Sequence, residues 1–232
     1  MNIQDIDAEV CNNTQTINTT YTVVDSRDGT EYTVAKLADN KCWMTSNLEL
    51  GEYGAPMNLT NELSNVGPSG YTLEFAYANN SVYKGNSNKY GNYYNWSQAT
   101  AGSGDNITTA GENAPYSICP KNWRLPSAKG SVAQSESYIM LDHYITTGSK
   151  GTSNWDNVLT SQLTNPPVSL VFSGGMYPNG TLVNQNYDGF WWLSTYYGSS
   201  SAYGMSIVTD GRVYPRGNNT QANAPSVRCL VD

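Results

Sequence analysis

The sequence predicts an α+β fold in which two helices pack on small antiparallel sheets joined by long irregular loops. Three observations carry that prediction. β-branched and aromatic runs flank Asp-Gly turns in residues 21–37 and 203–214, a hairpin pattern because Asp-Gly tolerates the positive φ angles of tight turns. Apolar residues recur at helical spacing in 131–144 and again in 153–163. Between them and the first hairpin, residues 51–115 carry Gly, Asn, Ser and Thr throughout, the composition of loops.

In chain order, residues 1–20 are polar and rich in Asn and Thr, and read as a tether held down near Cys11; residues 21–232 then form a single domain. Two β-branched runs around Asp25-Ser26-Arg27-Asp28-Gly29 give the first hairpin, and Lys41–Leu48 follows as a third, partly buried strand. Short ordered pieces are expected at Leu73–Tyr77 and Tyr90–Trp96. The first helix should run from Ser131 to Tyr144, with Val132, Ile139, Leu141 and Ile145 facing the core. The second should run from Ser153, its cap, to Leu163, with Trp155, Val158, Leu159 and Leu163 inward. Leu170-Val171-Phe172 reads as a buried strand, and Gly174-Gly175 and Pro178-Asn179-Gly180 as turns that lead into the last strands.

Those last strands hold the candidate site. Trp191, Trp192, Leu193, Met205, Ile207, Val213 and Val227 form an apolar frame. From Tyr203 to Val208 the pattern has period two, Met205 and Ile207 on one face and Gly204, Ser206 and Val208 on the other. Thr209-Asp210-Gly211 turns the chain, after which Val213 points in and Arg212 and Tyr214 point out. The residues set on this frame are Tyr187, Asp188, Tyr196, Tyr197, Ser199, Ser200, Ser201, Tyr203, Gly204, Ser206, Arg212, Tyr214, Arg216, Asn218 and Asn219. Binding surfaces use this palette: Tyr supplies rigid contact area, and Ser, Asn and Gly supply adaptable hydrogen bonds. Trp43, Trp96, Trp123 and Trp192 read as core, whereas Trp191 can face either way because neighbouring strand residues point to opposite faces.

Composition bounds the function. A net charge of −7 and a pI near 4.6 argue against a nucleic-acid partner. No apolar run approaches the ~20 residues of a membrane span, so membrane insertion is not expected. Met1–Asp5 lacks the basic start and apolar core of a signal peptide, which fits a mature fragment with an added Met1. Cys11, Cys42, Cys119 and Cys229 are widely spaced, which favours disulfides over metal ligation. Three pairings are possible; Cys11–Cys42 with Cys119–Cys229, joining near neighbours and the two ends of the main body, is the favoured one.

Residues suited to other chemistry have structural explanations. His143 is the only histidine, so a histidine-based zinc site or Cys-His nucleophile is not expected, and it reads as a helix-surface residue. Asp25, Asp28 and Glu31 share one hairpin whose motif implies turn hydrogen bonds to Arg27. Arg124 and Arg228 read as loop-fixing groups paired with a carboxylate or with backbone carbonyls. No cofactor is implied.

Five motifs lie in order along the chain. The first is Asp25-Ser26-Arg27-Asp28-Gly29, followed closely by Trp43-Met44 and Asn47-Leu48. Tyr90-Gly91-Asn92-Tyr93-Tyr94-Asn95-Trp96 and Cys119-Pro120-Lys121-Asn122-Trp123-Arg124-Leu125-Pro126 come next. Trp191-Trp192-Leu193-Ser194-Thr195 and Ser226-Val227-Arg228-Cys229 complete the set. Together they resemble the Fibrobacter succinogenes major paralogous domain over residues 21–232.

The resemblance implies a C-type-lectin-like fold and an extracellular or cell-surface, prokaryotic setting, in which the Asn-x-Ser/Thr sites at Asn18, Asn58, Asn95, Asn106 and Asn179 would not be glycosylated. The same fold serves the variable proteins of diversity-generating retroelements, whose C-terminal codons change at adenines. The Tyr, Ser, Asn, Asp and Gly residues at outward positions of 187–219 are among those reachable from an Asn codon in that way. Calcium-binding lectins of this fold use carboxylate-bearing loops, which Trp155-Asp156-Asn157, Tyr177-Pro178-Asn179 and Tyr214-Pro215-Arg216 do not reproduce, so no metal is expected. The formylglycine-generating enzymes share the fold but need a reactive cysteine pair, whereas Cys119 and Cys229 sit in packing motifs. The expected function is therefore non-enzymatic recognition of a protein or glycan on another cell or virus, with a fixed structural or adhesive cell-envelope domain as the alternative.

Overall fold

The computed structural model describes every residue except 53, 75–89 and 232. Its first sheet begins with the predicted hairpin, β1 (Thr20–Val24) and β2 (Glu31–Lys36), continues through β3 (Cys42–Met44), and ends on the C-terminal strand, β13 (Leu230–Val231). The turn between β1 and β2 closes as its motif implies. Asp25 is fully buried and accepts from both the backbone N–H and the guanidinium of Arg27, while Gly29 takes the positive φ that the turn requires.

The N-terminal segment, expected as a tether held down near Cys11, is folded and packed well before that cysteine. A 3-10 turn (Ile3–Asp5) and the helix α1 (Ala8–Thr14, capped by Asp7) bury Ile3, Ile6 and Cys11 completely, and the indole of Trp123 donates to the Ile3 carbonyl. The apolar side chains that do this are few and lie scattered among polar ones, so mean composition hid them.

In the middle, β4 (Met57–Leu59) and β5 (Tyr71–Leu73) form a small hairpin, and α2 (Trp96–Ala99) starts with a capping box between Asn95 and Gln98. Phe75–Tyr77, expected as part of a short ordered piece, lie outside the described residues. The first predicted helix is split: a 3-10 turn (Val132–Gln134) precedes α3 (Glu136–Tyr144), whose cap is Ser135. The break resets the helical phase, so Ser137 and Met140 face inward, Ile139 is exposed and Val132 only half-buried, contrary to expectation; Leu141 and Ile145 are buried as expected. His143 lies exposed on the last turn of α3.

The second predicted helix is mostly absent. Residues 149–156 form two short strands, β6 (Ser149–Lys150) and β7 (Trp155–Asp156), and only α4 (Ser161–Thr164) is helical. Asn157 takes φ +57°, which ends any helix, and Trp155 pairs with Val213 instead, leaving Leu159 exposed. Leu170–Phe172 is not a strand either: Leu170 is buried, but its N–H bonds back to Leu163. The turn signals that follow do deliver a hairpin, β8 (Gly175–Met176) and β9 (Leu182–Val183).

The second large sheet contains β10 (Asp188–Gly198), β11 (Ser201–Val208) and β12 (Val213–Thr220), in the order β10-β11-β12-β7-β6. Adjacent tryptophans on β10 point into different cores. Trp192 joins a cluster with Trp96, Trp123, Tyr94, Cys119 and Cys229, whereas Trp191 joins Leu193, Met205, Ile207, Val213 and Trp155. The predicted frame is therefore buried, and the central part of its sheet is covered on both faces. Both favoured disulfides are formed, Cys11–Cys42 and Cys119–Cys229, and no cysteine is free.

Candidate functional site

Covering both faces of the sheet leaves its two ends as the places where strand residues meet solvent. The sequence-predicted site residues divide accordingly. At one end, the tight turn between β10 and β11 exposes Ser199 and Ser200, with Tyr197 44% exposed beside them. Ser201, Tyr203, Arg216, Asn218 and Asn219 come to the same end, because β11 and β12 pair Tyr203 with Asn218 and Ala202 with Asn219.

Tyr187, Asp188 and Arg212 lie at the opposite end, where Asp188 pairs with Val208 and Thr209 N–H donates to the Tyr187 carbonyl. The eight-residue β11 separates the two ends by roughly 25 Å, at about 3.3 Å per residue. Arg212 is held by Asp210, with a 2.7 Å ion pair across the turn, and its hydrogen bonds keep the Asp210 carboxyl below its ordinary range. Burial pushes Asp188 the other way. Tyr187 is 68% exposed.

Four expected outward residues are placed differently. Tyr196 is only 9% exposed and Ser206 8%. Residues 111–114 run along the outer edge of β10 and bond to both backbone groups of Tyr196, which closes that side. Ser206 sits in the middle of the sheet opposite Tyr214. Tyr203 shares the face of Met205 and Ile207, as period two requires, and is half-buried against their cluster. Gly204 lies against Gly217, and a side chain there would come within 3.0 Å of the Trp191 carbonyl, so the position has little room.

The Tyr203 ring organises the first end. The Tyr197 ring meets it edge-on at 5.1 Å, and the Arg216 guanidinium lies 4.0 Å from its centroid. The same end adjoins a groove of about 150 Å³ lined by Tyr177, Asn184, Phe190, Asn219 and Asn223. Of these, the sequence singles out only Asn219. Phe190 carried a usable signal, since it lies two residues before Trp192 on the same face; the others reach the groove through loop geometry that no periodicity encodes.

Arg124 and Arg228 are fixed as expected. Arg124 makes a two-pronged ion pair with Glu136, and Arg228 donates to Asn47 and to the carbonyls of Val168 and Ser169. Among the described residues, no three of His, Cys, Asp or Glu come together as metal ligands would, and no helix is long and apolar enough to cross a membrane.

Neither a curated protein nor a solved structure matches this chain. The model of one family, the Fibrobacter succinogenes major domain, matches residues 38–230, most of the chain, from the start of the β2–β3 turn to β13, and the protein belongs to that family.

Proposed function

We propose that the protein is an extracellular, non-enzymatic recognition domain whose ligand surface is the sheet end around Tyr197, Ser199, Ser200, Tyr203, Arg216 and Asn218. One contrast carries the reading. Trp191, Trp192, Met205, Ile207 and Val213 are buried, while polar and aromatic side chains on the same strands open to solvent. A rigid frame that presents Tyr, Ser, Asn and Arg is how recognition surfaces combine shape with adaptable hydrogen bonding. The ligand would be a protein or glycan on another cell or virus. Two disulfides are compatible with an oxidising setting outside the cytoplasm.

A C-type-lectin-like arrangement is supported by β1, β2, β3 and β13 sharing one sheet, which brings the two ends of the chain together. The sharper reading is a diversity-generating retroelement variable protein, supported by the residue palette of 187–219. Sequencing the gene across its natural population tests it. Changes should concentrate at exposed positions such as Tyr197, Ser199, Ser200 and Asn218, at codons where a template copy carries adenine; variation spread evenly along the chain would overturn diversification.

A fixed structural or adhesive role has one observation in its favour, the burial of Tyr196 and Ser206 within the variable-looking stretch. Enzyme chemistry of the formylglycine-generating kind has less support, because Cys119 and Cys229 are joined to each other and offer no thiolate without prior reduction.

A further inference from the structure

Arg216 differs from the other arginines. Arg27, Arg124 and Arg212 are paired with carboxylates, and Arg228 is bound by Asn47 and two carbonyls. Among the described residues, Arg216 makes only its ring contact with Tyr203, and its buried Nε has no hydrogen-bond partner. A guanidinium that is partly stripped of water and given no acceptor keeps its strongest bonding capacity for a group outside the chain. Tyr197 extends the aromatic corner to solvent, and the neighbouring Ser199, Ser200 and Asn218 carry no charge to compete for it.

The strand that carries Arg216 is also open on one side. β12 pairs with β11 along its length but with β7 only at Val213. At Pro215 the outer edge is covered by α3, whose Ser137 hydroxyl donates to the Pro215 carbonyl. From Arg216 to Thr220 that edge has no strand neighbour among the described residues. Pro215 itself suits an edge strand, because it has no N–H to give to a ladder. An unpaired strand edge is a template for an extended peptide, which a glycan could not use in the same way.

We propose, building on the recognition reading above, that Arg216, Tyr203 and Tyr197 anchor a carboxylate side chain from an extended acidic segment of a partner protein lying along the outer edge of β12 from Arg216 to Thr220. The terminal guanidinium nitrogens donate to the carboxylate while the tyrosines exclude water from one side of the pair. Because the chain has a net charge of −7, an acidic partner is repelled over much of the surface, and Arg216 supplies an unpaired cation at this end of the sheet.

The test is to pan a random peptide library against the whole protein and against Arg216→Gln, with a glycan array that includes sialylated sugars run in parallel. The wild type should enrich peptides containing Asp or Glu. A synthetic copy of an enriched peptide should bind at least about tenfold more weakly to Arg216→Gln, and so should its Glu→Gln form to the wild type. Unchanged thermal unfolding would show that the variant is folded; should it not fold, Tyr197→Ala, at an exposed ring, must weaken the same peptide. Enriched peptides that lack acids and bind Arg216→Gln equally well would overturn the inference and leave the recognition reading standing. Capture of sialylated glycans through Arg216 in place of peptides would overturn it in the same way. Capture of neither class by the wild type would count against both.

Discussion

Trp191 and Arg228 share a single acceptor: the indole Nε1 donates to Asn47 Oδ1 at 2.8 Å, and Arg228 Nε donates to the same oxygen at 2.7 Å. The guanidinium also lies 5.6 Å from the Trp191 ring centroid, and burial lowers its pKa to about 9. No carboxylate is among its hydrogen-bond partners, so the cation is held by dipoles and a ring face. Asn47 thereby joins the segment after β3 to strand β10 and to the last motif of the chain.

Replacing that acceptor should be costly. Asn47→Ala leaves two buried donors, one of them charged, without their shared partner, and loses a third bond from Asn47 Nδ2 to the Tyr90 carbonyl. A loss of about 3 kcal/mol is expected, since each buried group left unsatisfied costs ~1–3 kcal/mol. The urea midpoint measures it. Asn47→Asp, which keeps an acceptor and places a carboxylate against Arg228, should recover most of the loss.

The buried Asp25–Arg27 pair predicts acid sensitivity. Burial alone would raise the Asp25 pKa, but the hydrogen bonds and charge of Arg27 outweigh it, and the carboxyl is held below its ordinary value of 3.8. A carboxyl with a depressed folded pKa contributes stability above its unfolded pKa, and that contribution is lost as pH falls through the folded value. Unfolding free energy should therefore decline as pH is lowered from about 4. Asp25→Asn should flatten this part of the profile while destabilising the protein by about 3 kcal/mol or more at neutral pH, because it strands Arg27. An unchanged acid profile would show that the pair does not govern it.

Each disulfide should be measurable by itself. Cys119–Cys229 spans 110 residues and Cys11–Cys42 spans 31. By the chain-entropy relation their removal should cost about 5 and about 4 kcal/mol respectively. Paired Cys→Ser variants compared by denaturant unfolding test the order. A larger loss at Cys11–Cys42 would mean that its packing against the buried α1 outweighs loop length.

What was legible in the sequence follows from which physical signals are local. The β1–β2 turn was readable because Asp25 and Gly29 perform their roles within five residues. The apolar frame was readable because period two is a property of one strand. The helix expected at 153–163 failed because the Trp155, Val158, Leu159 and Leu163 spacing suits a helix, while the partner that holds Trp155 is Val213, far along the chain. The outward placement expected of Tyr196 failed in the same way. Its sequence neighbours are Tyr197 and Ser199, but its burial is set by residues 111–114, which no pattern within the strand can report. Arg212 and Arg216 look equivalent in sequence, yet strand register sends them to opposite ends of the sheet.

That division between frame and surface can be tested within one strand. A methyl group on Gly189 would lie 2.4 Å from the Trp191 ring and 2.5 Å from the Val171 carbonyl, whereas one on Gly198 meets nothing within 4 Å. Gly189→Ala should therefore destabilise the protein by ~1–3 kcal/mol through overpacking, and Gly198→Ala should change stability by no more than about 0.5 kcal/mol. The tyrosines supply a second pair. Tyr196→Asn removes a buried ring and should cost about 3 kcal/mol, while Ser199→Tyr and Asn218→Tyr, at exposed positions, should be close to neutral. Thermal or urea unfolding of the five variants is sufficient. If the exposed substitutions proved as damaging as Gly189→Ala, the sheet end could not accept varied side chains, and a surface built for changing ligands would lose its physical basis.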